Sequence, residues 1–97
     1  MNQLVSVPVL AARSDVLYGV WDLFFAGFCY GELGHYPEEI QAYKQAIRLK
    51  PDYADAHYNL GFAYLSIGDN GSALEEYKIL KNLDAELANK LFNLIYQ

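Results

Sequence analysis

The residues that could do acid–base, nucleophilic or metal chemistry are few and lie far apart along the chain. The two histidines, His35 and His57, have no cysteine or carboxylate at metal-ligand spacing. His57 stands where a large core residue is expected, so we expect it to be packed in the core. Cys29, the single cysteine, falls within an apolar helical stretch and is predicted to be a buried structural thiol. We therefore predict no catalytic residue, no cofactor and no metal.

The adjacent carboxylates are equally unsuited to catalysis. Glu38-Glu39 and Glu75-Glu76 are neighbouring pairs, which point to different sides of a helix rather than into one site. Negative charge is favoured near helix starts in any case. The glycines fall in helices and helix turns and not in a phosphate-binding loop. The sequence therefore favours a protein that is not an enzyme.

Size, composition and charge narrow the class further. Ninety-seven residues fit one domain, and nine Tyr, five Phe and a hydrophobic fraction of 54% exclude a disordered chain. Seven Lys and Arg against twelve Asp and Glu give a net charge of −5, which repels phosphate backbones. We expect no nucleic-acid partner. A single cysteine implies no oxidising compartment, so a cytoplasmic location is expected.

The apolar segment 1–14 has no clear structural assignment from its sequence. Leu4–Ala12 has no preceding Lys or Arg and contains Pro8, which disfavours a secretory signal. The apolar run Val16–Gly31 contains Asp22 and is shorter than the about 20 residues that span a bilayer. Membrane association is therefore disfavoured and is kept as an alternative.

An internal repeat organises the rest of the chain. A shift of 34 residues aligns Val20–Tyr53 with Ala54–Leu87. The aligned copies share identical residues at Gly27/Gly61, Phe28/Phe62, Tyr30/Tyr64, Gly34/Gly68, Tyr43/Tyr77, Lys44/Lys78 and Leu49/Leu83. Apolar residues recur at helical spacing within each copy, so each copy reads as a pair of helices.

The repeated residues resemble the tetratricopeptide repeat family. That family's pattern is a large residue, Leu-Gly, Tyr, then Ala, an aromatic residue and Pro. The second copy carries His57, Leu60-Gly61, Tyr64, Ala73 and Tyr77 at these places. The first copy carries Leu23, Ala26-Gly27, Tyr30, Tyr43, Ala46 and Pro51. The resemblance covers about Val20 to Gln97 and implies an all-α, right-handed α–α superhelix.

Three departures from the family pattern carry structural expectations. Glu39 stands where the family favours Ala, which predicts a looser contact between the two helices of the first repeat. His57 replaces the usual large apolar residue. Ala85 replaces the closing Pro and suggests a different geometry into the last helix.

We predict one domain over 15–97, with repeats at about 20–53 and 54–87 and a capping helix at 84–97. The predicted helices are about Asp15–Leu33, Pro37–Leu49, Tyr53–Ile67, Gly71–Leu83 and Asp84–Tyr96. Gly34 and Gly68 suit left-handed positions at helix ends, and Pro37 suits a first helical turn. The predicted helix caps are Asp52 and Asp69. The mid-helix glycines, Gly27 and Gly61, indicate the close approach of another backbone.

The resemblance implies a concave groove lined by the first helix of each pair. The residues expected there are Trp21, Phe24, Phe28, Asp55, Tyr58, Asn59, Phe62, Asn89, Phe92, Asn93 and Tyr96. Phe25 and Leu65 share this surface, and packing between helices is an equal alternative for Phe25 and Phe28. Only Asn59 matches the Lys, Arg and Asn set with which some members grip a C-terminal carboxylate, so that activity is disfavoured.

The first helix is apolar nearly all round and needs a cover that two repeats do not provide. Leu4–Ala12, a second copy of the chain or another protein could supply it. The predicted function is a non-catalytic module, a scaffold or assembly factor, that binds a helical or extended apolar segment of a protein partner and self-associates through its N-terminal helix. The alternatives are a membrane-associated accessory subunit and a small structural subunit of a larger enzyme.

Overall fold

The computed structural model describes residues 19–97, and this part of the chain contains five α-helices and no strand. The helices are α1 (Val20–Glu32), α2 (Tyr36–Leu49), α3 (Ala54–Ser66), α4 (Asn70–Leu83) and α5 (Ala85–Ile95). The predicted all-α class is confirmed. The predicted segment 1–14 lies outside the described residues. Two compact units are present, one ending at Pro51 and the other comprising Asp52–Gln97.

The start of α1 differs from the prediction. Gly19 is extended, with φ −85° and ψ 174°, and its N–H donates to Asp22 Oδ2 at 3.0 Å. This side-chain bond satisfies a backbone donor at the helix start. A helix running unbroken from Asp15 is therefore wrong, because Gly19 is not helical. Residues 15–18 lie outside the described residues.

The turns that join the helices within each repeat have the same geometry. Gly34 has φ +76° and Gly68 has φ +81°, which confirms the left-handed positions. The N–H of His35 donates to the carbonyl of Tyr30 at 2.9 Å, and the N–H of Asp69 donates to that of Tyr64 at 2.8 Å. The period of 34 residues is thus reproduced in the backbone hydrogen bonds.

The close approach at Gly27 and Gly61 is made by side chains. A Cβ at Gly27 would lie 2.5 Å from Cε1 of Tyr43, and one at Gly61 would lie 2.6 Å from Cδ2 of Leu91. The prediction of a neighbouring backbone is wrong at both places. Tyr43 and Leu91 are fully buried, so each glycine makes room for a large core side chain of the next packed helix.

The second unit is built from α3, α4 and α5, which pack on one another. Its core contains Leu80, Ala88 and Leu91. Two of its helices have aspartate caps. Asp69 accepts from the N–H of Ser72 at 3.0 Å, as predicted, and Asp84 accepts from the N–H of Leu87 at 3.1 Å.

The predicted cap at Asp52 is wrong. Tyr53 is the N-terminal capping residue of α3, and its side chain forms no capping bond. The N–H groups of Ala56 and His57 both donate to the carbonyl of Tyr53 at 3.1 Å. Asp52 therefore lies one residue too early to cap the helix.

The outward side of α5 is polar. Asn89, Lys90 and Asn93 are exposed, whereas Ala88 and Leu91 are buried against α3 and α4. Ile95 occupies the register of Gly61, so another helix could not approach α5 there as closely as Leu91 approaches Gly61. The role of α5 as a capping helix stays a prediction.

Candidate functional site

The most unusual ionisable group of the first unit is the Glu39 carboxyl. Glu39 is only 6% exposed, and a Cβ at Gly31 would lie 2.5 Å from its Oε2. Burial raises the pKa of Glu39 from 4.5 to about 7, and the negative charge of Glu32 adds to the effect. The predicted loose contact is wrong, because the missing side chain at Gly31 leaves room for the carboxyl between α1 and α2.

The second unit contains a buried histidine paired with a carboxylate. His57 is buried, as predicted, and its Nδ1 lies 2.7 Å from Oε1 of Glu76 on α4. A carboxylate only accepts hydrogen bonds, so Nδ1 carries the proton and donates. Glu75, the neighbour of Glu76, is exposed and lies 3.4 Å from Lys78. The pair therefore satisfies a buried polar group within the helix packing.

The described residues hold no arrangement of three His, Cys, Asp or Glu that could bind a metal ion. Cys29 is exposed, so the prediction of a buried thiol is wrong. The buried side of α1 contains Leu23, Gly27 and Tyr30. Cys29 is two residues from Gly27, which turns it to the other side of the helix.

Aromatic rings of the first unit gather along α1. The Trp21 and Phe24 rings pack edge to face with centroids 6.4 Å apart. The Phe24 ring also packs on the Tyr43 ring, with centroids 5.7 Å apart. Phe25 and Phe28 are stacked at 6.5 Å. Phe24 is half-buried, whereas Trp21, Phe25 and Phe28 are exposed. Phe24 thus anchors the surface to α2, and the rest of it faces solvent.

A second aromatic group lies in the second unit. The Phe92 ring lies 4.7 Å from that of Tyr96 and 5.3 Å from that of Tyr77, between centroids. Phe92 and Tyr96 are exposed. Tyr77 was not predicted for this surface. The repeat aligns Tyr77 with Tyr43, and Tyr43 packs on Phe24, a predicted groove residue of its own unit. The identical pair Tyr43/Tyr77 was therefore the sequence feature that could have indicated Tyr77.

An open groove of about 330 Å³ lies between the ends of α3 and α5. Phe62 was predicted for such a surface, and Leu65 was named with it. The groove is lined by Phe62, Leu65, Ser66, Asn70, Leu94, Ile95 and Gln97. Apolar and polar residues line it in similar number, and its accessible walls are more polar than apolar.

The remaining predicted residues differ in exposure. Asp55, Asn89 and Asn93 are exposed, whereas Tyr58 and Asn59 are half-buried. Tyr58 packs against the Leu80, Ala88 and Leu91 core, which reduces its accessible surface. The union of all predicted residues in one continuous groove stays a prediction.

Charge is unevenly distributed among these helices. α1 contains Asp22 and Glu32, and α3 contains Asp55, while neither helix contains Lys or Arg.

No helix among residues 19–97 is long and apolar enough to cross a membrane.

Comparison with known families identifies two matching segments. The model for the TPR repeat matches residues 30–68, and the model for the tetratricopeptide repeat matches residues 54–86. None of the curated proteins compared with the chain matches it significantly. Repeats of this type generally mediate protein–protein interactions and are typically non-catalytic. With matches from residue 30 to residue 86 and paired helices of the same period, the chain belongs to the tetratricopeptide repeat family.

Proposed function

We propose that this protein is a non-catalytic interaction module that binds an apolar segment of another protein. The observation that carries the proposal is the exposure of aromatic rings on α1, α3 and α5, the helices predicted to line the groove. Trp21, Phe28, Phe62, Phe92 and Tyr96 are all exposed. Clustered exposed apolar surface usually marks an interaction site.

The second unit offers the best-defined part of this surface. The Phe92 ring is supported by the Tyr77 and Tyr96 rings, so little side-chain freedom is lost when a partner covers it. Phe62 lines the groove of about 330 Å³ next to α5. A helical or extended segment could place apolar side chains against Phe62 and Phe92 and polar groups in this groove, as amphipathic ligands do.

In this proposal the predicted residues of each unit act as a binding surface, and the protein is a cytoplasmic scaffold or assembly factor. The exposed amides of Asn89 and Asn93 would hydrogen-bond the partner's polar groups. Self-association through the N-terminal helix is the alternative use of the exposed surface of α1. Light scattering tests it, because a dimer would have twice the chain mass of 11.0 kDa.

A peptide-display selection with the full chain as bait tests the binding surface. We expect selected peptides to be rich in apolar residues and to lose about tenfold or more in affinity for Phe62→Ala and Tyr96→Ala. Lys90→Ala is the matched control, because Lys90 is exposed on α5 away from Phe92. Equal affinity of all variants for the selected peptides would overturn the proposal.

A further inference from the structure

Aromatic rings on one side of α1 follow the spacing of a continuous helical stripe. Trp21, Phe25 and Phe28 are 70%, 64% and 49% exposed. Steps of four and three residues align them along the helix, and Glu32, also exposed, follows after a further four. We call Trp21, Phe25, Phe28 and Glu32 the α1 stripe.

The internal repeat shows how unusual the exposure beside the α1 stripe is. Asp22 and Cys29 lie 34 residues before Ala56 and Ala63 of α3. Ala56 and Ala63 are fully buried, whereas Asp22 and Cys29 are exposed. Within residues 19–97, the same side of equivalent helices is therefore covered in one repeat and exposed in the other. In this part of the chain, a helix has room to dock along α1 on this side.

The charges of α1 indicate what the docking helix carries. Both charged residues of α1, Asp22 and Glu32, are acidic. The Lys and Arg residues of the described chain lie on α2, α4 and α5 and at Lys50. Positive charge beside the apolar side chains of a partner would complement this surface and speed its association.

We infer that the α1 stripe binds an amphipathic helix of a partner protein whose apolar residues are flanked by Lys or Arg. This inference rests on the proposed function and adds the chemistry of the partner. A second copy of α1 fits less well, because its two charged side chains are both acidic and supply no cation to pair with Asp22 or Glu32. The same two carboxylates disfavour an anionic lipid surface.

Trp21 is the single tryptophan of the chain and reports on the α1 stripe directly. The probes are two synthetic helical peptides of about four turns with the same leucine stripe, flanked in one by Lys and in the other by Glu. With the full chain, we expect the Lys peptide to shift Trp21 emission to the blue and to bind about tenfold more tightly than the Glu peptide. The preference should shrink between about 50 mM and 500 mM salt.

Two variants locate the effect. Phe25→Ser should abolish most of the binding, and Glu32→Lys should remove the preference for the Lys peptide. Glu86→Lys is the matched control for charge, since Glu86 is exposed on α5, and it should leave the preference unchanged. Circular dichroism confirms that each variant is folded.

Four results would overturn the inference, and they are distinguishable from failure of the proposed function. If the two peptides bind equally tightly and Phe25→Ser still loses binding, the preference for a basic partner is wrong, and the proposed function is unaffected. If Phe25→Ser does not change the affinity for the peptides, the α1 stripe is not their binding site. The display selection tests the roles of Phe62 and Tyr96 separately. A doubled molar mass that Phe25→Ser abolishes assigns the stripe to a second copy. A blue shift with phosphatidylcholine vesicles assigns it to lipid.

Discussion

The buried Glu39 carboxyl is expected to contribute stability that is lost as the pH rises from acid to neutral. The pKa of Glu39 is raised from its ordinary value of 4.5 to about 7 in the folded protein. Between these pH values the folded state holds a proton that the unfolded state has released. The free energy of unfolding therefore falls with rising pH in this window. Below about pH 4.5 the carboxyl is protonated in both states, and this stabilisation is fully present.

The magnitude follows from the difference between the two pKa values. At 1.36 kcal/mol per pKa unit, the change from 4.5 to about 7 corresponds to about 3 kcal/mol of unfolding free energy between acid and pH 8. The burial of Glu39 at 6% exposure supports an effect of this size. In a domain with about 5–15 kcal/mol of total stability, such a loss is easily measured.

Urea unfolding at a series of pH values from about 4.5 to 8 measures the effect, with Glu39→Gln as the test variant. Other carboxylates contribute equally to both proteins, so the difference between them isolates Glu39. We expect Glu39→Gln to gain stability over the parent as the pH rises. Glu38→Gln, the adjacent glutamate on the same helix, is the control and should follow the parent. Parallel stability curves for the parent and Glu39→Gln would refute the buried-carboxyl reasoning.

Three further predictions concern the packing that holds the candidate site. His57→Leu leaves the Glu76 carboxylate without its partner and should lower the free energy of unfolding by urea by about 1–3 kcal/mol. The double variant His57→Leu with Glu76→Ala should recover much of this loss. Additive effects of the two substitutions would contradict the pairing. Gly27→Ala should destabilise by about 1–3 kcal/mol because its methyl would meet the Tyr43 ring, whereas Gly71→Ala, which makes only ordinary contacts, should be neutral or stabilising. Asp84→Ala should cost about 1 kcal/mol through loss of the α5 cap, and Asp84→Asn should cost much less if the cap is the cause.

The features of the fold that could be predicted are those set by local chemistry. The left-handed backbone at the helix ends favours glycine, as at Gly34 and Gly68. The capping bond of Asp69 involves only an N–H group of the next turn. The start of α1 could not be predicted from apolar periodicity, because Gly19 is the N-terminal capping residue of α1, whereas the apolar run of the sequence begins before it. The prediction of Asp52 as a cap was wrong for a similar reason, since the cap position changes when the helix start shifts by one residue.

The features that could not be predicted depend on pairs of residues in different helices. Glu39 was recognised as a departure from Ala, but its partner Gly31 was not. The repeat held the signal, because Leu65 and Ala73 stand at the same two places in the second copy. A large residue and a small one have exchanged sides, which keeps the volume between the helices filled. The partner of His57 was missed in the same way, since Glu76 lies on another helix.

For the candidate site, the sequence identified the aromatic residues but not their exposure. Phe24 and Phe28 occupy the same helix with similar apolarity, yet Phe24 packs on Tyr43 and Phe28 faces solvent. Their positions around the helix differ, and only the placement of α2 decides which side is covered. Cys29 was assigned to the wrong side for this reason.

Nuclear Overhauser effects between the full chain and a display-selected peptide test whether the exposed aromatic rings form a protein-binding surface. We expect intermolecular effects from the peptide to the rings of Phe62, Phe92 and Tyr96, with none to the exposed Glu75 and Lys78 on α4. Effects confined to α4, or a bound peptide that contacts none of these rings, would contradict it.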